Sequence, residues 1–331
     1  MASEKDYAVI IGVGYDGNAF PTLHGTSTDA EVFKSWVVAD NGGDIPLANV
    51  IDAGPNGNRF ADDQAGIQDA FNELVEMTMH KKRLGRLFIF ASGHGFADLS
   101  NSWDTGLVAS NAKDYLWYHV ALYRYADFFM RSGTFNTVVL FMDCCRSKDP
   151  QFPVTPPPLP LVNGIDQPAQ KFYGHAVHWG ALAKEGPYGG GHMGYFTRAL
   201  KDAFDHAPAD DNGMLTSTGL ARFVHNRINA FQQQGIQVPP AQFDGDPGVD
   251  VVLGRARQIP LGTEFICAAS LAGKKVSIRF DGQGTPIDEF IASPAPYKAA
   301  LSVGFYSVEV DGEPTAKKIF QVPTNEPIHV G

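Results

Sequence analysis

The sequence predicts an α/β protein, a mainly parallel sheet flanked by helices, followed by a small β-sandwich. Three observations lead there. Short apolar runs alternate with amphipathic helical stretches over most of the chain, the rhythm of parallel strands covered on both faces. Two of those runs, Leu87-Phe88-Ile89-Phe90 and Val138-Val139-Leu140-Phe141, end in tips that carry reactive side chains, at His94 and at Cys144-Cys145. Past Gly254 helical periodicity disappears, and short alternating segments separated by turn residues take over.

In chain order, Tyr7 to Gly12 reads as a buried strand. The region from Leu23 to Val38 follows, with Asp29, Ala30, Val32, Phe33, Trp36 and Val37 at helical spacing. Leu47 to Asp52 reads as a second strand. Ala65 to His80 is an amphipathic helix with Ile67, Phe71, Leu74, Val75 and Met79 on one face. The strand ending at His94 comes next, then a helix from Tyr118 to Met130, then the strand from Val138 to Met142 that leads to the cysteines. Pro150 to Pro168 is Pro-rich and reads as an irregular exposed connector. Gly174 to Ala183 reads as a further strand, and Gly194 to Phe204 and Ser217 to Phe231 as two helices. In the last stretch Phe265–Ala268, Lys275–Phe280, Tyr297–Leu301, Phe305–Val310 and Lys318–Val322 read as strands, with turns at Asp281-Gly282 and Asp311-Gly312. The boundaries drawn are a catalytic-type domain over 1–254, with a linker at about 150–170, and a β-sandwich domain over 255–331.

Bulk properties narrow the function. A chain of 331 residues with 44% hydrophobic residues, 35 Gly and 22 Pro fits a folded protein rich in turns. A net charge of −10 lacks the basic footprint of a nucleic-acid binder and argues against an anionic membrane surface. The start, MASEKDY, has neither the basic flank nor the apolar core of a signal peptide. Three cysteines, two of them adjacent, make no disulfide framework. The expected setting is therefore the reducing cytoplasm, which keeps a thiol active.

The two strand tips carry the chemistry. In an open α/β sheet, functional groups sit outside the carboxyl ends of the strands. A His and a Cys on neighbouring tips make the minimum apparatus of a cysteine hydrolase, a thiol nucleophile and an imidazole base. Cys145 lies 51 positions after His94, close to the spacing of about 50 seen in caspases. Ser92-Gly93-His94-Gly95 and Asp143-Cys144-Cys145-Arg146-Ser147 resemble the His and Cys motifs of caspase-like cysteine peptidases, and the metacaspase branch is nearer than the animal caspases. Metacaspases read Asp-x-Cys-x-Ser-Gly at the nucleophile. This chain has the Asp and the Ser but carries Lys148 in place of the Gly, so it resembles an atypical, bacterial-type member. Gly194-Tyr195-Phe196-Thr197 resembles a helix start common in that family. The resemblance runs from about Tyr7 to Leu253.

The resemblance implies a caspase-like fold and peptide-bond hydrolysis of protein substrates, in a regulated cell-death or defence pathway. It implies His94 and Cys145 as the dyad, and the N–H groups of Gly95 and Cys145 as oxyanion donors. It places Asp143 on the pocket for the residue before the cut bond, where a carboxylate selects Arg or Lys. Cys144 competes as nucleophile, but strand neighbours point to opposite faces, and the Asp two positions earlier matches Cys145. Asp98 and Asp104 are candidates for a second acidic pocket member. Lys148 or Lys171 would suit self-cleavage of the chain in or beside the Pro-rich segment. The alternative on the same fold is a catalytically inactive interaction scaffold.

Other readings are weaker. Gly12-x-Gly14-x-x-Gly17 fits a dinucleotide fingerprint, but Pro21 argues against the helix that must follow at once. His175, His178 and His192 are scattered, and no Cys-x-x-Cys or His-x-x-x-His pair occurs, so no metal is assigned. No cofactor is required. Calcium activation stays open, since Asp205, Asp210 and Asp211 form no recognised loop motif. Cys267 reads as a packing residue of the β domain, and that domain is expected to offer docking to a protein partner rather than chemistry.

Overall fold

The computed structural model describes residues 4–17, 19–55, 58–99, 101, 103–148, 153–159, 169–280, 285–322 and 326–331. Two compact units emerge, residues 1–204 with 214–255, and residues 205–213 with 256–331. The first runs β1 (Tyr7–Gly12), α1 (Thr26–Val38), β2 (Val50–Ala53), α2 (Gln64–Thr78), β3 (Leu84–Gly93), β4 (Gly95–Ala97), β5 (Thr105–Val108), β6 (His119–Ala121), α3 (Leu122–Ser132), β7 (Phe135–Cys144), β8 (Ser147–Lys148), β9 (Gln170–His175), β10 (Glu185–Tyr188), β11 (Gly191–Gly194), α4 (Tyr195–His206), β12 (Met214–Thr216), α5 (Ser217–Gln233), β13 (Gln242–Gly245) and β14 (Val252–Arg255).

A six-stranded sheet in the order β13-β9-β7-β3-β1-β2 organises this unit. All neighbours are parallel except β13, which runs antiparallel to β9. The chain starts in the interior at β1, steps to the edge at β2, then returns to the other side of β1 as β3. That reversal opens a crevice at the carboxyl ends of β1 and β3, the place where such sheets build their sites. The register puts Gly93 of β3 beside Cys144 of β7, so the residues that follow, His94 and Cys145, leave the sheet side by side.

Alternation along the strands assigns side chains to two faces. Leu87, Ile89, Ala91, Val138, Leu140, Met142 and Cys144 share one core with Ile67, Phe71 and Leu74 of α2 and Tyr125 and Phe129 of α3. The Phe71 and Tyr125 rings stack at 3.9 Å. The other face is aromatic. Phe33 of α1 stacks on Phe90 at 4.6 Å, Trp36 on Phe204 at 4.0 Å, and Phe196 of α4 meets Phe141. Burying each such ring contributes roughly 1.5–3 kcal/mol, and both sheet faces are covered, which is why these strands read as near-continuous apolar runs. Asp143 and Ser92, paired across β7 and β3, fall on the α1 face. Cys144 falls on the opposite one.

Several elements differ from the sequence reading. The strand expected at Leu47 begins as a short 3-10 turn over Leu47–Asn49 and becomes extended only at Val50. His119–Ala121 is a strand before α3. It belongs to a small sheet, β6-β5-β4-β8, too short in its strands to show a period. The strand expected over Gly174–Ala183 stops at His175. Beyond it the chain turns, Gly180 adopting φ +87°, and Gly180 N–H and Ala181 C=O bond the backbone of Arg146. The Pro-rich stretch is not wholly an exposed connector. Val154 is buried in the core, and Thr155 N–H donates to His119 Nε2 at 2.8 Å; residues 149–152 and 160–168 lie outside the described residues. Lys171 is no loop site for cleavage. It stands in β9, with its amine on the Asp244 carboxylate at 2.6 Å. The glycine run after β1 opens no helix, because α1 starts only at Thr26.

The second unit is a β-sandwich of β15 (Leu261–Cys267), β16 (Lys275–Phe280), β17 (Asp288–Ile291), β18 (Tyr297–Leu301), β19 (Gly304–Val310), β20 (Glu313–Val322) and β21 (Ile328–Val330). A three-stranded sheet, β18-β15-β21, and a four-stranded sheet, β17-β16-β19-β20, enclose a core of Phe265, Ile278, Val308, Phe320 and Ile328, with Cys267 packed among them. Gly312, at φ +76°, makes the β19–β20 turn; Asp281-Gly282 lies outside the described residues. Asp205 joins this unit through Arg257 at 2.9 Å and through Ile259 N–H at 2.7 Å, contacts with no signature in residue spacing. No helix among the described residues is long and apolar enough to cross a membrane.

Candidate active site

His94 follows Gly93 at the end of β3, and its backbone is pinned on both sides. Its N–H donates to Tyr15 Oη at 2.8 Å, and Tyr15 Oη donates in turn to Val108 C=O at 2.7 Å. The carbonyl of His94 accepts from Val108 N–H at 2.9 Å. A Cβ on Gly93 would stand 2.7 Å from the Tyr15 hydroxyl, so this position has room only for glycine. The imidazole packs against Tyr15 at 4.5 Å and Phe20 at 5.4 Å, and its Nε2 lies 2.7 Å from Pro21 C=O. A carbonyl only accepts, so Nε2 carries the hydrogen and Nδ1 keeps the lone pair. Burial lowers the imidazole pKa against the opposing pull of the Pro21 bond. His94 is therefore neutral at pH 7, as a base must be.

Cys145 stands just past β7, half-buried, its Sγ 3.8 Å from Ala183 C=O. Burial raises its pKa, so the resting group is a thiol. Cys144 points the other way, 1% exposed within the α2–α3 core, with burial pushing its thiol far above the usual range. Gly95 lies close beneath this pair. An added Cβ there would meet Cys145 O at 2.6 Å and Cys144 Sγ at 2.8 Å. Arg146 is fully buried and donates to Gln242 Oε1 at 2.6 Å and to Val177 C=O and Thr105 Oγ1 at 3.3 Å. That anchor, absent from the sequence reading, fixes the backbone directly after Cys145.

One cavity of about 100 Å³ brings His94 and Cys145 together with Asp143, Asp29, Glu185 and Gly194. Its lining is acidic. Asp143 accepts from Thr197 N–H at 2.9 Å and Thr197 Oγ–H at 2.7 Å. Burial raises its pKa to about 6, against those two bonds. Asp29 accepts from Ser92 Oγ–H at 2.6 Å and Gly194 N–H at 3.0 Å. Burial, and then the neighbouring Asp143, push its pKa well up. Glu185 accepts from the N–H groups of His24 and Gly25 at the start of α1. A Cβ on Gly194 would come within 2.1 Å of Asp143 Oδ2. Two buried carboxylates, each held by neutral hydrogen-bond donors, thus face one cavity beside His94 and Cys145.

Besides Asp143, the acidic residues lining the cavity are Asp29 and Glu185, and neither Asp98 nor Asp104 lines it. Asp98 accepts from Asn101 N–H and Val154 N–H, and Asp104 pairs with Arg124. The sequence did hold a signal for Asp29. It shares a helical face with Phe33 and Trp36, and a carboxylate on an apolar face is rarely idle. Tyr15 and Pro21 left no such signal. Of the scattered histidines, His175 is fully buried, and its ring nitrogens have no hydrogen-bond partner among the described residues. His192 packs its ring against His24 at 5.3 Å. Among the described residues no group of three or more His, Cys, Asp or Glu is placed to hold a metal ion. A wider groove of about 680 Å³ between α5 and β13 carries Arg222 and His225 but no thiol.

Comparison with known proteins agrees with this architecture. A probable protease of a Desulfuromonadales bacterium is 26% identical over 213 residues, 59% of this chain. The match spans a quarter of that protein's length. The crystal structure of caspase-1 from Spodoptera frugiperda superposes with a TM-score of 0.51 at 14% identity, covering 78% of this chain and 93% of that one, a likeness of fold. The family model of the caspase domain, Peptidase C14, matches residues 5–287, and the chain belongs to that family.

Proposed function

We propose that this chain is a cysteine endopeptidase of metacaspase-like type that cleaves peptide bonds after Arg or Lys. One observation carries the reading: His94 and Cys145 share a cavity with the buried carboxylates of Asp143 and Asp29. The cation of the residue before the cut bond enters between the two carboxylates, which ionise on receiving it. His94 Nδ1 takes the proton from the Cys145 thiol as sulfur attacks the scissile carbonyl carbon. Since burial disfavours both the thiolate and the imidazolium, the proton moves during attack rather than before it. The backbone N–H groups of Gly95 and Cys145 receive the oxyanion. As the tetrahedral species collapses, the C–N bond breaks and His94 returns the proton to the leaving amine. Water, deprotonated by His94, then releases the acid and restores the thiol.

The test is a set of fluorogenic peptides ending in Arg, Lys, Asp or Leu, given to the wild type, Cys145→Ala, Cys144→Ala and His94→Ala. Cleavage after Arg or Lys that survives only in the wild type and Cys144→Ala supports the reading. Cleavage after Asp or Leu alone, or activity that persists in Cys145→Ala, refutes it. An inert wild type with an intact fold favours the interaction scaffold.

A further inference from the structure

We infer that the enzyme carries an apolar subsite for the residue that follows the cut bond, built by Phe20 and Trp117. The inference rests on the peptidase reading above. Whatever amine leaves must lie within hydrogen-bond reach of the His94 ring, because His94 returns its proton. The side chain of the leaving residue is one atom further on, so it meets whatever surrounds the imidazole. The acidic cavity is taken by the residue before the cut. Beside the imidazole stands Phe20, half-buried, 5.4 Å away and tilted by 37°. Trp117 continues the surface, 5.2 Å from Phe20 and edge-on to it, and is itself backed by the buried Phe96 at 5.3 Å.

The chain just before Trp117 adds further exposed apolar side chains. Tyr115 is 82% exposed and Leu116 44% exposed, and they ride a tight turn closed by paired backbone bonds between Lys113 and Leu116 at 2.9 and 3.0 Å. Large apolar side chains held in water on the turn that leads into Trp117 mark a contact surface. Partly exposed aromatic rings offer a large contact area at small entropic cost. The occupant is the substrate chain itself, with an aromatic or large aliphatic residue directly after the cut bond.

The experiment uses internally quenched peptides, identical up to Arg, followed by Phe, Leu, Gly or Asp. A peptidyl-Arg methyl ester, whose leaving methanol cannot reach Phe20, reports the chemistry without the subsite. Phe and Leu are expected to exceed Gly and Asp by about tenfold or more in kcat/KM, the discrimination an apolar pocket supplies. In Phe20→Ala and in Trp117→Ala the ratio of Phe to Gly should collapse towards one. A collapse in Trp117→Ala with the methyl ester still hydrolysed at the wild-type rate cannot come from a displaced base. Equal rates for all four peptides in the wild type, with the ester hydrolysed, overturn the subsite and leave the peptidase reading standing. A wild type that hydrolyses neither ester nor peptides overturns both.

Discussion

Replacing Asp143 by Asn should make this protein more stable and a poorer cutter after Arg. The side chain is 6% exposed, and burial raises its pKa from 3.8 to about 6. A carboxyl with a raised folded-state pKa opposes folding when ionised. Below pH 3.8 it is protonated in both states and contributes no penalty. The penalty grows between pH 3.8 and 6 and is complete above 6. A rise of that size corresponds to about 3 kcal/mol at neutral pH. Asn keeps an oxygen to accept from Thr197 N–H and Oγ–H, so the relief should outweigh what the amide loses, leaving a gain of roughly 1–3 kcal/mol. For a unit of this size that is about 2–4 °C per kcal/mol. Loss of one charge-assisted partner for the substrate cation should lower kcat/KM on Arg peptides by about 100-fold. Thermal unfolding followed by circular dichroism at pH 7.5 and pH 4, with kinetics on the same preparations, checks both halves. The stability gain should be present at pH 7.5 and nearly vanish at pH 4. A variant equally stable at pH 7.5, or one that still cuts after Arg at the wild-type rate, would refute the assignment of a strained acidic receptacle.

Other outcomes follow from the same geometry. Tyr15→Phe removes the hydroxyl between His94 N–H and Val108 C=O; kcat should fall about tenfold with KM for Arg peptides unchanged, since leaving a buried donor unpaired costs roughly 1–3 kcal/mol, and an unchanged kcat would show that the hydroxyl does not hold the base. Gly194→Ala drives a methyl group into Asp143, and should raise KM for Arg and Lys peptides sharply while affecting hydrolysis of a neutral thioester less. Cys144→Ala should keep activity and lose roughly 1 kcal/mol of stability from a small cavity, read by urea unfolding. Loss of all hydrolysis in that variant, with the fold intact, would reassign the nucleophile. Because burial lowers the His94 pKa, kcat on a neutral thioester should stay level from neutral pH down past 6.5. A limb that begins above 6.5 would contradict a neutral buried base.

The strand tips could be read directly from the order of residues. β3 and β7 are buried on both faces, so they had to be written as continuous apolar runs, and a polar cluster at the end of such a run stands out. His94, Gly95, Asp143 and the Cys144-Cys145 pair were legible for that reason, and so was the change to alternating strands past Gly254. Strand order was not legible, because linear spacing carries no record of which strands pair. Only the tertiary structure set β3 beside both β1 and β7, which draws the β1–α1 loop over the His tip and delivers Tyr15, Phe20 and Pro21 to it. Pro21 acts through a backbone carbonyl, which has no signature in side-chain type. Asp29 could be seen as an acid on an apolar helix face, but its partner could not be named until alternation turned Asp143 towards α1 and Cys144 away from it. Residue chemistry is local and survives in the sequence; the meeting of two such residues depends on sheet order and facing, which are decided by burial of the whole core.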